Sequence, residues 1–377
     1  MKFLPYLFKT LWRHRTRTLL TVGGSAVALF VYAVIGSARQ GLDGLASRHD
    51  RTLVVFQANK FCPATSHVPQ DYARTIAEVA GVKGVTPIRI FTNNCRASLD
   101  IVVFYGLPPE RLRDVRDLTL LSGDWSEFEQ HQDAAVIGRS LADRRNLGVG
   151  DKFSIGELSV TVAGVFESDD PTDEQYIYSH LAFLQRRSGQ NSVGTVTLLE
   201  VALADGADPE AVCTAIDDSF RAAQVPTHTR PKGAFQAASL ADLFELADLT
   251  GYLGWACLGL MATLVATTSL MAVQDRRMEH AVLQTLGFSG TRVFGLVLGE
   301  TALQGVLGGL LGTAVAMGLL SWTGLAVGAE GVSVPFRPTW ELAALYASVS
   351  AVVGLAAGVA PAVQAARLEI VTALRGG

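Results

Sequence analysis

The sequence predicts an α-helical membrane protein with four transmembrane helices and a large α+β extracytoplasmic domain between the first and second. Three observations carry the prediction. Four long stretches, Thr18–Ala38, Leu249–Gln274, Val293–Trp322 and Leu342–Ala366, are uncharged except for Glu300 in the third. Each reaches the about 20 apolar residues that cross a hydrocarbon core of about 30 Å. Between the first and second lie residues 39–248, which are mixed in polarity and read as a folded domain. The charges are also sorted by region. Residues 1–17 hold Lys2, Lys9, Arg13, Arg15 and Arg17 and no acid, whereas residues 41–247 hold 28 acidic and 19 basic residues, a net of −9. Cytoplasmic flanks favour Lys and Arg. Both termini and the loop between the second and third spans are therefore expected in the cytoplasm, and the large domain outside. A whole-chain charge of −4 with a mean hydropathy of +0.30 fits a membrane protein with a substantial polar part.

In chain order, residues 1–17 form a cytoplasmic N-terminal segment. Phe3, Leu4, Leu7, Phe8, Leu11 and Trp12 give it an amphipathic helical face suited to the membrane interface. Residues 18–38 are the first span. Its apolar run is longer than the about 7–15 residues of a signal-peptide core, so it is expected to be retained. Residues 39–248 are the extracytoplasmic domain with its stalk helices. Strands are expected at Leu53–Gln57, Val85–Phe91, Ile101–Tyr105, Ala134–Ile137, Lys152–Ile155, Leu158–Phe166 and Thr195–Ala202. Helices are expected at Gln70–Ala80, Ser140–Leu147 and Asp208–Ala223, the last opened by Asp208 with Pro209 behind it. This alternation gives an α+β domain of two subdomains. From Phe235 onward no Gly or Pro interrupts the chain before Thr250, which predicts one stalk helix continuous with the second span.

Residues 249–274 are the second span and 275–292 a cytoplasmic loop. Residues 293–322 are the third span, 323–341 a short extracytoplasmic loop, 342–366 the fourth span and 367–377 a cytoplasmic tail. In the third span Gly305/Gly309 and Gly308/Gly312 have GxxxG spacing, as do Gly354/Gly358 in the fourth. Such spacing lets helix backbones approach closely, within one chain or between two.

The chemistry-bearing residues exclude more than they specify. The seven histidines form no HExxH, HxH or Cys/His ligand spacing, and there is no GxSxG elbow and no GxxxxGK[ST] phosphate loop. No catalytic, cofactor or metal site is expected. The acidic pairs Asp169/Asp170 and Asp217/Asp218 read as solvated turn or helix-face residues. Cys62 and Cys95 each follow a strand-like run and are the expected disulfide in an oxidising compartment. Closing that loop would contribute about 3–4 kcal/mol in the chain-entropy model. Glu300 is the one ionisable residue inside a span, and such a group usually faces protein or water. It reads as a helix-contact or coupling residue.

The most specific stretch is Gln274–Arg292. Arg276, Arg277 and Glu279 precede the apolar Ala281-Val282-Leu283, then Leu286 and Gly287. This is a short amphipathic helix with a charged start and a glycine stop, of a kind that docks into a partner's groove. Arg276 or Arg277, with Glu279, Leu283, Leu286 and Gly287, resembles the signature of the FtsX-like/MacB-like ABC transporter permeases, although His280 stands where an apolar residue is common. Four further pieces resemble that family: Glu300 early in the third span, Arg15–Thr21 entering the first, Ala135–Gly138 through Leu147–Asp151 in the outer domain, and Pro361–Arg375 at the end, where Ile370 or Val371 replaces a usual proline.

The resemblance implies a permease subunit of the mechanotransmission type, in a bacterial inner membrane, with no ATPase site of its own. Its partners would be a separate ABC ATPase that binds the ATP and docks on the loop after the second span, a second permease copy, a periplasmic adaptor and the lipid bilayer, with no nucleic acid. The work would be export or extraction of an envelope substrate such as a lipid, lipoprotein, peptide or drug. The competing reading is a transmitter that regulates an extracytoplasmic hydrolase.

Overall fold

The structure is a computed structural model that describes residues 12–13, 15–46, 51–60, 65–93, 101–156, 158–170, 172–187, 189, 192–286, 288–323, 325–329, 331–336 and 339–367. The chain forms two compact units. One comprises residues 1–38, 246–322 and 337–377, and the other residues 39–245 and 323–336.

In the first unit the long helices are α1 (Arg15–Ala46), α9 (Ala241–Asp275), α11 (Gly290–Thr323) and α12 (Trp340–Ala366). Each is long and apolar enough to cross a membrane, and the short helix α10 (Arg277–Thr285) lies between α9 and α11. Small residues decide how these helices pack. A Cβ at Gly312 would strike the backbone oxygen of Ala26, one at Gly308 would lie 2.5 Å from the Ser25 Cβ, and one at Gly305 would lie 3.0 Å from the Gly354 Cα. The Ser350 hydroxyl donates to the Gly305 carbonyl at 2.5 Å. The GxxxG residues of α11 are thus used within the chain, against α1 on one side and α12 on the other. Thr339 caps α12 by accepting the Leu342 N–H at 3.4 Å.

The second unit is built on a ten-stranded sheet. Its strands are β1 (Thr52–Gln57), β3 (Val82–Thr92), β4 (Val103–Leu107), β5 (Leu118–Gly123), β6 (Ala134–Gly138), β7 (Lys152–Ile155), β8 (Leu158–Ser168), β9 (Tyr176–His180), β11 (Leu198–Leu203) and β12 (Thr227–Pro231). The order is β12-β1-β11-β3-β4-β9-β6-β8-β5, with β7 added to β8. The β4–β9 and β6–β8 pairs are parallel and the rest antiparallel. The short strands β2 (Val68–Pro69) and β10 (Thr195–Val196) pair separately. Every residue of β4, β6 and β9 is buried, as expected for strands covered on both faces.

Among the described residues, seven short α-helices flank the sheet: α2 (Tyr72–Ala77), α3 (Pro109–Val115), α4 (Trp125–Gln130), α5 (Arg139–Arg145), α6 (Leu181–Arg187), α7 (Pro209–Ser219) and α8 (Lys232–Ser239). Asp208 caps α7 through the Glu210 N–H at 3.2 Å. Asn146 ends α5 in the left-handed region at φ 54, ψ 48, where Asn is tolerated better than most residues.

Residues 82–88 of β3 pair with β11 while residues 89–92 pair with β4, so one strand joins the two halves of the sheet. Two expectations need correction. The stalk is not one helix from Phe235 onward. It breaks at Leu240 (φ −109, ψ 12) between α8 and α9. Phe235 and Leu240 would lie about 140° apart on an unbroken helix, and the break lets both bury, at 4% and 0% exposure. The loop expected at 323–341 contains a hairpin of β13 (Ala326–Ala329) and β14 (Val332–Pro335). That hairpin groups with the second unit. The Tyr105 hydroxyl donates to the Gly331 carbonyl at 3.3 Å. Gly331 sits at φ +91, and a Cβ there would lie 2.9 Å from the Ile90 side chain.

Candidate coupling site

The residues singled out after the second span gather around α10. Helix α9 ends at Asp275, Arg276 turns the chain at φ −104, ψ 15, and Leu286 closes the short helix. Arg276 folds back so that its Nη1 lies 3.1 Å from the Glu300 Oε2 on α11, with the two side chains only 11% and 16% exposed. Arg277 points outward. Glu279 lies in the first turn of α10 and pairs with Arg13 at 3.4 Å. Arg17 reaches Asp275 at 2.6 Å. The Arg13–Glu279 and Arg17–Asp275 pairs each keep a strongly exposed partner, and such pairs are worth about 0–1 kcal/mol. The Arg276–Glu300 pair is shielded and sits beside the apolar contacts of Val273, Val293, Val297, Ala362 and Ala365.

The outward face of α10 is apolar. Met278, Val282 and Leu286 are 43%, 46% and 73% exposed, and their spacing of four puts them on one stripe. Ala281 is buried against the rest of the unit. Val282 and Leu286 belong to the apolar residues that the sequence marks here, and Met278 joins them at i, i+4, i+8 spacing. The side chain of Leu283 and residue Gly287 lie outside the described residues, as do Cys62 and Cys95. Cys213 and Cys257 are free thiols, and burial together with nearby acids pushes Cys213 up to about 11.

The outer unit holds a charged cluster that no spacing in the sequence announces. Arg116 Nη2 donates to Glu200 at 2.8 Å and its Nε donates to the Tyr178 hydroxyl at 3.1 Å. Lys232 reaches the same Glu200 oxygen at 3.1 Å, and Tyr178 donates to Asp173 at 2.7 Å. Burial alone would raise the Glu200 carboxyl, but Arg116 and Lys232 outweigh it and hold that carboxyl well below the usual range. At Asp173 burial prevails over the same cations and raises its pKa. The four charged residues come from the end of α3, β11, the segment before β9 and the start of α8, and Tyr178 from β9 itself, so only the fold brings them together. A cleft of 560 Å³ elsewhere in the unit is lined by Asp124, Glu127, His131, Asp133, Val149 and Gly150. Among the described residues no group of three His, Cys, Asp or Glu side chains could hold a metal ion.

Four membrane-crossing helices with an α+β domain inserted after the first define a multi-pass membrane protein. Comparison with known proteins gives the family. Residues 18–219 match the MacB-like periplasmic core domain and residues 252–370 the FtsX-like permease C-terminal domain. The chain belongs to the FtsX-like/MacB-like family of ABC transporter permeases. It is 22% identical over 397 residues to an uncharacterized ABC transporter permease of Methanocaldococcus jannaschii, covering 99% of this chain and 97% of that one. It is 24% identical over 422 residues to the macrolide export ATP-binding/permease protein MacB of Bdellovibrio bacteriovorus, covering 98% of this chain but only 60% of that protein. Among solved structures, the periplasmic region of MacB from Actinobacillus actinomycetemcomitans matches at 15% identity and a TM-score of 0.39, over 52% of this chain and 95% of that one. The extracellular domain of the transporter YknZ from Gram-positive bacteria matches at 15% identity and a TM-score of 0.35, over 48% and 99%.

Proposed function

We propose that this permease works with an ABC ATPase on a separate polypeptide, and that ATP bound by that partner drives motion of the outer domain to export or extract an envelope substrate. The observation that carries the reading is the exposed apolar stripe Met278–Val282–Leu286 on α10, in the loop that the charge asymmetry predicts to be cytoplasmic. An apolar helical face offered to water is the usual form of a helix that docks into a groove. In this reading two permease copies bind two ATPases in the inner membrane, both termini are cytoplasmic, and a periplasmic adaptor receives the outer domain's motion. The chain holds no nucleotide itself.

The test is docking. Truncation at an interface hot spot costs about 2 kcal/mol or more, roughly thirtyfold in affinity. Leu283→Asp and Leu286→Asp should each lose the ATPase on purification in mild detergent, while the outer domain keeps its protease resistance. Unchanged ATPase stoichiometry and activity in both variants would remove α10 as the docking element.

A further inference from the structure

We propose that Arg276 and Glu300 form a joint that fixes α10 to α11, making the two residues positioning groups for force transmission. The proposal rests on the docking role given to α10 above and adds how a push on that helix reaches the spans.

The need for a joint follows from the backbone. The link from α9 to α10 is a single non-helical residue, Arg276, whose N–H still reaches the Ala272 carbonyl at 3.2 Å. A one-residue break is a natural hinge, since a few dihedral angles at element ends absorb most hinge motion. The side chain of that same residue is tied to Glu300 at 3.1 Å. Glu300 stands on the adjoining helix, 24 residues away in sequence. The hinge residue therefore carries its own lock.

Other contacts at this end of the unit cannot substitute for the pair. Arg13–Glu279 and Arg17–Asp275 are open to solvent and screened by salt. The apolar cluster of Val273 on α9, Val293 and Val297 on α11, and Ala362 and Ala365 on α12 holds those helices to one another, but none of its members belongs to α10. Ala281 is the one residue of α10 shown buried among those whose side chains are described. A shielded charge pair resists separation because parting the charges leaves each one poorly solvated. An ordinary apolar contact has no comparable directional hold.

The experiment uses the full chain in nanodiscs, with its four native cysteines replaced and nitroxide labels at Leu286→Cys and Leu310→Cys. Both positions are exposed, at 73% and 52%. Pulsed electron-spin distance measurements report how tightly α10 is held against α11. The parent should give a narrow distribution. Glu300→Gln and Arg276→Gln should each broaden it, and Arg276→Lys should keep it narrower than Arg276→Gln. The swapped pair Arg276→Glu with Glu300→Arg should restore it. Equal widths in the parent and both single Gln variants would overturn the joint. A swap that stays broad would also overturn it, because mutual attraction would not then be what holds the hinge. No ATPase is present, so this outcome is separate from the docking test. If docking fails but the widths behave as expected, the joint stands and the function it serves is wrong.

Discussion

The Glu200 carboxylate shows how a single residue depends on its surroundings. It lies buried between Arg116 and Lys232. Removing one partner of a buried ion pair costs about 3–5 kcal/mol, because the other charge is left uncompensated. Glu200→Gln should therefore lower the stability of the outer domain by about that amount at pH 7, measured by denaturant unfolding. The sign of the pH dependence follows from the direction of the shift. A depressed carboxyl contributes stability that is complete above its unfolded pKa, near 4.3, and is lost as pH falls through the lower folded value. The difference between wild type and Glu200→Gln should hold at neutral pH and shrink below about pH 4.3. Asp173, raised by burial, faces the same Arg116 and Lys232, so the difference reports the coupled cluster, with Glu200 as the group removed. An unchanged difference at low pH would mean that Glu200 is not held as an ion between the two cations.

At the scale of elements, α11 makes two kinds of use of glycine. Gly308 and Gly312 face α1 at contact distance, whereas a Cβ at Gly295 or Gly318 would meet nothing within 4 Å. Gly312→Leu should lower the melting temperature of the detergent-solubilised protein, since overpacking costs about 1–3 kcal/mol. Gly318→Leu should leave it unchanged. Equal behaviour of the two variants would mean that α1 and α11 do not pack through this face. The same spacing in the sequence favours packing within the chain but leaves packing between chains open. The pairing partner, Ala26, lies 286 residues before Gly312, and no local pattern specifies such a contact.

For the whole molecule, the asymmetry of Lys and Arg predicts one orientation. Cysteine placed at Leu121, which is 48% exposed on the outer unit, should react with an impermeant maleimide on intact spheroplasts. Cysteine at Leu286 should react only after permeabilisation. The opposite pattern would invert the proposed orientation and move α10 away from any cytoplasmic ATPase.

The sequence by itself determined the membrane-spanning stretches, the inserted α+β domain, the short helix after the second span and the family. These are local signals: apolar length, period and motif spacing need no knowledge of what lies opposite. Strands β1, β7 and β8 were legible for the same reason, since each carries a run of β-branched or alternating residues. Strand β9, Tyr-Ile-Tyr-Ser-His, was not: the equally buried β4 and β6 read as continuous apolar runs, whereas Ser179 and His180 interrupt the run in β9 without giving it an alternation. Only the tertiary structure decided that the stalk breaks at Leu240, that the loop after the third span is a hairpin packed on the outer unit, and that Arg276 meets Glu300. Each of those depends on which residues the fold brings into contact across long stretches of chain. The free energy of such contacts comes from shared burial, which a residue does not carry in its own neighbourhood of sequence.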